Sequence, residues 1–175
     1  MSLLARMELA GIEVGDRWQD VADHLVQRTS DQVLPFLDLH YVLGLARAGR
    51  PEADTLLRHI ERRAARSGPD EVAWREACVP AAQGLVAWAR GDAAAAVDAL
   101  GRALPRLLAI GGSHAQRDLF AQLHLDAMVR VGHLQGAQDL LQPQLRAQPE
   151  SKRLRRQATA LYESLGLGPV ADRFL

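Results

Sequence analysis

Apolar residues recur at intervals of three and four along most of the chain, and no segment shows the alternation typical of a strand. Because this spacing places apolar side chains on one face of a helix, it predicts an all-α protein. The predicted helices start after Asp16, near Pro35 and at Pro51; a fourth, kinked at Pro80, runs to Arg90; a fifth carries Val97 to Leu108; the last four cover residues 113–131, 134–147, 152–164 and 169–174.

Four glycines separate consecutive predicted helices, and the last two, Gly132 and Gly166, lie at the interval of about 34 residues that is typical of tetratricopeptide repeats. A small residue follows five positions after three of these glycines, as that motif requires where two helices cross: Ala96, Ala137 and Ala171. We therefore predict stacked antiparallel helical hairpins in a divergent, right-handed, tetratricopeptide-like superhelix. The expected organisation is one domain, 1–175, with an N-terminal segment 1–15 and hairpins 16–68, 69–110, 113–148 and 152–175, the first ending at Ser67-Gly68-Pro69.

Several longer strings carry a family resemblance. RWQDVADHLVQR (17–28), LPFLDLHYVLGLARAGR (34–50), VPAAQGLVAWARGD (79–92) and IGGSHAQRDLFAQLHLDA (110–127) resemble, in the same order, the C-terminal part of the tetratricopeptide repeat protein thirty-eight family. The resemblance implies divergent helical repeats and brings no established reaction. Since members of that family are about two to three times longer, it also implies that the chain matches only their last part.

The overall charge is balanced, with 21 basic and 21 acidic residues, so nucleic acid and anionic membranes are not expected partners. The single cysteine, Cys78, argues against a cysteine-based zinc site, and we expect no metal or cofactor. Arg6 and Glu8 interrupt the first apolar run, which predicts neither a leader nor a membrane span and favours a cytoplasmic protein. The abundance of arginine and alanine is typical of proteins that are encoded by GC-rich bacterial genes.

The segment Ile110–Asp118, IGGSHAQRD, combines residue types that are common in active sites. We interpret it as a joint between two helices, in which Gly111 is left-handed, Gly112 follows, and Ser113 forms a capping box with Gln116. An anion site at the helix start, reached by His114 and Arg117, is the alternative. A triad of Ser113, His114 and Asp118 is geometrically excluded, because adjacent residues cannot aim their functional atoms at each other.

The remaining polar candidates lie on predicted helices. Asp38 and His40 point about 200° apart on one helix, so they cannot share a metal ion unless that helix is broken. We expect each to form a hydrogen bond to another helix, and a metal role is the alternative. Asp118 and Gln122 belong to a polar stripe that is either solvated or lines a groove, whereas His124 is expected to be packed. Arg153, Arg155 and Arg156 beside Lys152 form a basic cluster without an aromatic partner, which indicates a solvated helix start.

Two functions from different classes follow. The first is a protein- or peptide-binding helical-repeat scaffold with no catalytic activity of its own. The alternative is an enzyme or a binder of small molecules or anions that uses a polar pocket around Asp38, His40, His114, Arg117 and Asp118. In addition, the apolar residues of the N-terminal segment predict a homodimer through that region: Leu3, Leu4, Met7, Leu9, Ile12 and Val14.

Overall fold

A computed structural model describes residues 1–66, 68 and 72–174, and within these ranges no strand occurs. The protein is all-α, as predicted. Its α-helices are α1 (Ser2–Leu9), α2 (Arg17–Leu25), α3 (Pro35–Arg47), α4 (Glu52–Ala64), α5 (Val79–Ala89), α6 (Ala93–Ala103), α7 (His114–Arg130), α8 (Leu134–Ala147), α9 (Lys152–Ser164) and α10 (Gly168–Ala171). Of the predicted stop at residues 67–69, Ser67 and Pro69 lie outside the described residues.

Turn glycines separate the helices at the predicted places. Gly49, Gly91, Gly132 and Gly166 all have positive φ, a conformation that residues with a Cβ rarely adopt. Around these turns α3 packs against α4, α5 against α6, and α9 against α10, and α8 also packs against α9. Consecutive helices therefore pack against each other across Gly49, Gly91 and Gly166, which is compatible with the predicted hairpins.

Helices α5 and α6 cross closely at Gly84. A Cβ on Gly84 would lie 2.9 Å from the backbone nitrogen of Leu100, so no larger residue fits without moving a helix. Ala96, Ala137 and Ala171, predicted as the small residues of the crossings, have side chains that are at most 1% exposed. These three positions are buried, which is compatible with the predicted helix crossings.

Prolines change the helix type at two places. The predicted kinked helix is instead a π-helical segment, Val72–Cys78, that is followed directly by α5, with Pro80 in the first turn of α5. The predicted fifth helix likewise ends at Ala103 and continues as a 3-10 segment, Leu104–Ile110, with Pro105 at its start. Both differences have one cause, because proline does not donate the bond that an uninterrupted α-helix needs.

The N-terminal segment contains α1, and the carboxylate of Glu8 in this helix bonds to two other helices. Glu8 accepts hydrogen bonds from Arg47 Nε at 3.1 Å and Nη2 at 2.5 Å, and from the Trp18 indole at 3.0 Å. Arg47 also donates to the backbone oxygen of Ala89 and lies over the Trp88 ring, 5.3 Å from its centroid. Glu8 therefore links α1 to α2 and α3.

Two compact units are distinguished by their contacts, Met1–His124 and Leu125–Leu175. The first has a core that includes Leu39, Leu45 and Trp74, and the second one that includes Leu141 and Leu161. Among the described residues, no helix combines the length and the apolar composition that crossing a bilayer requires.

Candidate functional site

The predicted helix joint has the expected capping box. The Ser113 hydroxyl oxygen accepts a hydrogen bond from the Gln116 backbone nitrogen at 3.3 Å, and the Gln116 side-chain oxygen accepts one from the Ser113 nitrogen at 2.8 Å. This reciprocal pair satisfies two of the free donors at the start of α7. The interpretation of Ser113 and Gln116 as cap residues is confirmed.

The two glycines of the joint have distinct reasons to be glycine. Gly111 has φ 84° and ψ −157°, so its positive φ is as predicted, but its ψ places it outside the left-handed helical region, in a conformation essentially restricted to glycine. A Cβ on Gly112, which also has positive φ, would lie 2.8 Å from two ring carbons of Phe36. Gly112 thus lets the joint approach the start of α3.

The cation expected to complete an anion site turns towards the joint itself. Arg117 Nη1 donates to the backbone oxygens of Gly111, at 3.1 Å, and of Gly112. Its guanidinium therefore satisfies carbonyl groups and does not stand free beside the amides of the helix start. His114 and Gln116 are both exposed. The cation of the anion-site alternative is therefore already bonded to the joint.

Asp118 and Gln122 belong to the contact of α7 with α1. Gln122 Nε2 donates to Asp118 Oδ2 at 2.5 Å, and Gln122 is only 4% exposed. Arg6 Nη2 donates to the backbone oxygen of Ala115 at 2.6 Å and lies 3.8 Å from Asp118 Oδ2. The predicted polar stripe is therefore partly covered by the N-terminal helix.

His40 is buried near the same contact, but it does not bond between helices as predicted. Its Nδ1 donates to the Phe36 backbone oxygen, one turn earlier in α3, at 2.8 Å, and its ring contacts those of Phe36 and Phe120. Burial lowers its pKa; the bond to Phe36 opposes this shift, and the N-terminal ammonium and Arg6 add to it. At neutral pH His40 is thus a neutral imidazole packed in an aromatic environment.

Asp38 lies on another side of α3, and the prediction that it forms a bond between helices is wrong. Its side chain is 1% exposed, and neither carboxyl oxygen has a hydrogen-bond partner among the described residues. Burial, with a contribution from Asp31, raises its pKa to about 7. The carboxyl is close enough to Cys78 to raise the pKa of that thiol, which burial already raises strongly. A thiol held neutral in this way is a poor nucleophile.

The packing predicted for His124 is found in the structure. His124 is 8% exposed, and its Nε2 would lie 3.4 Å from a Cβ on Gly101, so the ring packs against α6. Burial lowers its pKa, and a hydrogen bond with the backbone of Val97 opposes this shift. His24 is exposed. Within residues 1–66, 68 and 72–174, no three His, Cys, Asp or Glu side chains are grouped so that they could hold a metal ion.

A concave surface occurs where the sequence predicted only a solvated helix start. An open groove of about 630 Å³ runs along α9 in the second unit. It is lined by three cations, a hydroxyl, a carboxylate and an aromatic ring: Lys152, Arg155, Arg156, Thr159, Glu163 and Phe174. Thr159, Glu163 and Phe174 are lining residues that the sequence analysis did not single out. The available signal was weak, because only the turn at Gly166 indicates that the tail folds back over α9.

The predicted site residues therefore have different surroundings. His40, Asp118 and Gln122 lie at or near the contact of α1, α3 and α7; Arg117 bonds to the joint; His114 is exposed; Asp38 is buried elsewhere on α3. No protein-family model matches the chain, and no solved structure matches it.

Proposed function

We propose that the chain is a helical-hairpin scaffold that binds segments of other proteins and has no catalytic activity of its own. The observation that carries this proposal is the open groove along α9, which is about the size of an ordinary ligand site but is bounded by one helix face and the folded tail. Stacked helical hairpins commonly use such exposed helix faces to bind peptides.

The polar residues of the first unit support the same proposal through their structural roles. Ser113 and Gln116 cap α7, Arg117 bonds to the joint, and His40 is packed between aromatic rings. A catalytic base or nucleophile must instead reach a substrate, either directly or through one water. The geometry of these residues thus favours a binding protein over the alternative of an enzyme.

The family and the cellular setting belong to this proposal as well. The strings around residues 17–50 and 79–127 resemble the tetratricopeptide repeat protein thirty-eight family, and the turn glycines and buried alanines are compatible with divergent repeats of that kind. We therefore propose divergent tetratricopeptide-like repeats, in a bacterial cytoplasmic protein.

A homodimer through the N-terminal region is also proposed, on a smaller surface than the sequence indicates. Leu4 and Val14 are buried against the chain, whereas Leu3 is 70% and Ile12 49% exposed. Because a specific dimer usually buries about 800 Å² on each protomer, surface beyond these two side chains would have to take part. Light scattering on the intact chain and on Leu3→Glu tests this: a dimer that the substitution dissociates is expected, and a monomeric wild type would contradict it.

Affinity capture with the intact chain tests the scaffold function. The immobilised protein is exposed to extract of the source organism, the retained proteins are identified, and each is purified and titrated by calorimetry. A scaffold is expected to retain at least one protein that then binds with defined stoichiometry. Failure of every retained protein to bind the purified chain would contradict the proposal.

A further inference from the structure

The groove along α9 has a strongly polarised lining. Lys152, Arg155 and Arg156 lie in the first two turns of the helix, whereas Glu163 lies near its end. At about 1.5 Å per residue, Lys152 and Glu163 are about 16 Å apart along the helix axis. An extended peptide of about five residues has this length.

The cations occupy the end of the helix where positive charge is least favourable. The first turn of α9 contains no acidic residue, and the amino end of a helix already carries a partial positive charge. Lys152 and Arg156 are exposed, and neither has an ion pair with any side chain in the described part of the chain. Anionic groups bound here would therefore be attracted by the side chains and by the helix end together.

Arg155 ties the cationic end of the groove to the folded tail. Its Nε donates to the backbone oxygen of Phe174 at 3.1 Å, and its Nη1 lies 3.8 Å from the carboxylate of Glu150, which is itself 92% exposed. The tail is thus held against α9 by a charged side chain that keeps part of its guanidinium towards solvent. Arg155 therefore connects the groove wall at Phe174 to the cationic cluster.

The Phe174 ring, which forms the aromatic wall of the groove, is positioned by contacts with Tyr162. The Phe174 ring stacks nearly parallel to Tyr162, with 5.5 Å between centroids. Tyr162 is buried, and its hydroxyl oxygen accepts hydrogen bonds from Gln138 at 3.2 Å and Gln142 at 3.3 Å, both on α8. These bonds fix Tyr162, and Tyr162 in turn positions Phe174. An apolar side chain would find a preformed surface here, next to Ala160.

We propose that this groove binds a short, extended, acidic segment of another protein, with carboxylates over Lys152 and Arg156 and an apolar side chain against Phe174. The proposal rests on the scaffold function above and adds the chemistry of the partner. A basic side chain of the same segment would face Glu163, which fixes the direction of the bound peptide.

The lining favours a peptide over a nucleic acid or a lone phosphate. The backbone phosphates of a nucleic acid bound along the groove would lie near the carboxylate of Glu163 as well as near the cations. One face of the Phe174 ring is already covered by Tyr162, which limits the stacking of bases on it. A single phosphate would use the cationic end and leave the apolar wall without a partner. A peptide with separated acidic and apolar residues uses both.

Fluorescence anisotropy with a defined probe tests the proposal on the intact chain. The probe is a fluorescein-labelled pentapeptide of two glutamates, a serine, a leucine and a lysine; a second probe replaces the glutamates with lysines and the lysine with glutamate. The protein is used as wild type and as the double variant Lys152→Glu, Arg156→Glu. The matched control, Arg62→Glu with Arg66→Glu, changes the net charge equally at exposed positions of the first unit.

We expect the acidic probe to bind the wild type and the control alike, more weakly as salt is raised. The double variant at the groove should weaken this binding about tenfold or more and gain affinity for the charge-inverted probe. Phe174→Ala should weaken the acidic probe without changing its salt dependence, because it removes only the apolar contact. Circular dichroism checks that each variant is folded.

Several results would overturn the inference. They are no binding of the acidic probe by the wild type at millimolar protein, equal binding of both probes, binding that the groove variant retains, or tighter binding of inorganic phosphate or single-stranded DNA than of the peptide. The scaffold function is distinguished by the capture experiment: a purified partner that binds wild type and groove variant equally would refute the groove and leave the scaffold standing.

Discussion

Substitution of the buried carboxyl of Asp38 should change how stability depends on pH. The folded protein holds this group with a pKa of about 7, against 3.8 for an unperturbed aspartate, because burial disfavours the charged form and the charge of Asp31 disfavours it further. In the unfolded chain the carboxyl ionises at its ordinary pKa. The unfolded state therefore releases this proton at lower pH than the folded state does.

The sign and the size of the effect follow from that difference. The contribution of Asp38 to the free energy of unfolding is fully present below about pH 4. It is lost as pH rises from the pKa of the unfolded state through that of the folded state, and the loss is complete above about pH 8. A shift of about 3 units at about 1.4 kcal/mol per unit makes the total loss about 4 kcal/mol. Asp38→Asn removes the titration, so its free energy of unfolding should lack this component.

Urea unfolding followed by circular dichroism, between pH 4 and pH 8.5, measures the effect. The uncharged amide is itself buried without a partner and costs about 1–3 kcal/mol at every pH, so the test is the pH dependence of the difference between variant and wild type. That difference should move by about 4 kcal/mol in favour of Asp38→Asn as pH rises. The control, Asp20→Asn on the exposed side of α2, should follow the wild type. A difference that stays constant across the range would refute the reasoning.

Three further predictions concern stability at a single pH. Ser113→Ala removes the acceptor of the α7 cap and should cost about 1 kcal/mol in thermal unfolding, with Ser113→Asp tolerated; an unchanged melting temperature would reject the cap. Ala96→Leu should overpack the crossing of α5 and α6 by about 1–3 kcal/mol in urea unfolding, and wild-type stability would reject the close crossing. Glu8→Gln should cost about 1–3 kcal/mol, because it leaves Arg47 without its carboxylate, whereas Asp54→Asn, at an exposed ion pair, should cost less than about 1 kcal/mol; equal effects would contradict the role of Glu8.

Features that depend on neighbouring residues were predictable from the sequence. The turn at Gly91 requires positive φ, and the capping box needs only Ser113 and Gln116 at the right spacing. Each is decided within one turn of helix, where chain geometry leaves few alternatives. The all-α class follows from the same local periodicity.

Features that depend on distant contacts were not predictable in the same way. The sequence predicts that Asp38 bonds to another helix, but only the packing reveals that none of the described residues supplies a partner. The groove has the same origin, because Phe174 reaches Arg155 only after the tail has turned back over α9. The periodicity of the sequence places each side chain on one face of its helix, but it does not specify which other helix will pack against that face.

The central claim is that this chain is a binding scaffold whose groove lies on α9. Mapping of a bound peptide by nuclear magnetic resonance tests this claim most directly. The intact, ¹⁵N-labelled protein is titrated with the acidic pentapeptide, and the backbone amide shifts are followed. We predict saturable shifts concentrated in residues 151–164 and 168–174, with little change at the joint around Gly112 or near His40. Shifts centred on the joint and on His40 would contradict the account and would favour the alternative of a polar pocket, and so would the absence of saturable shifts.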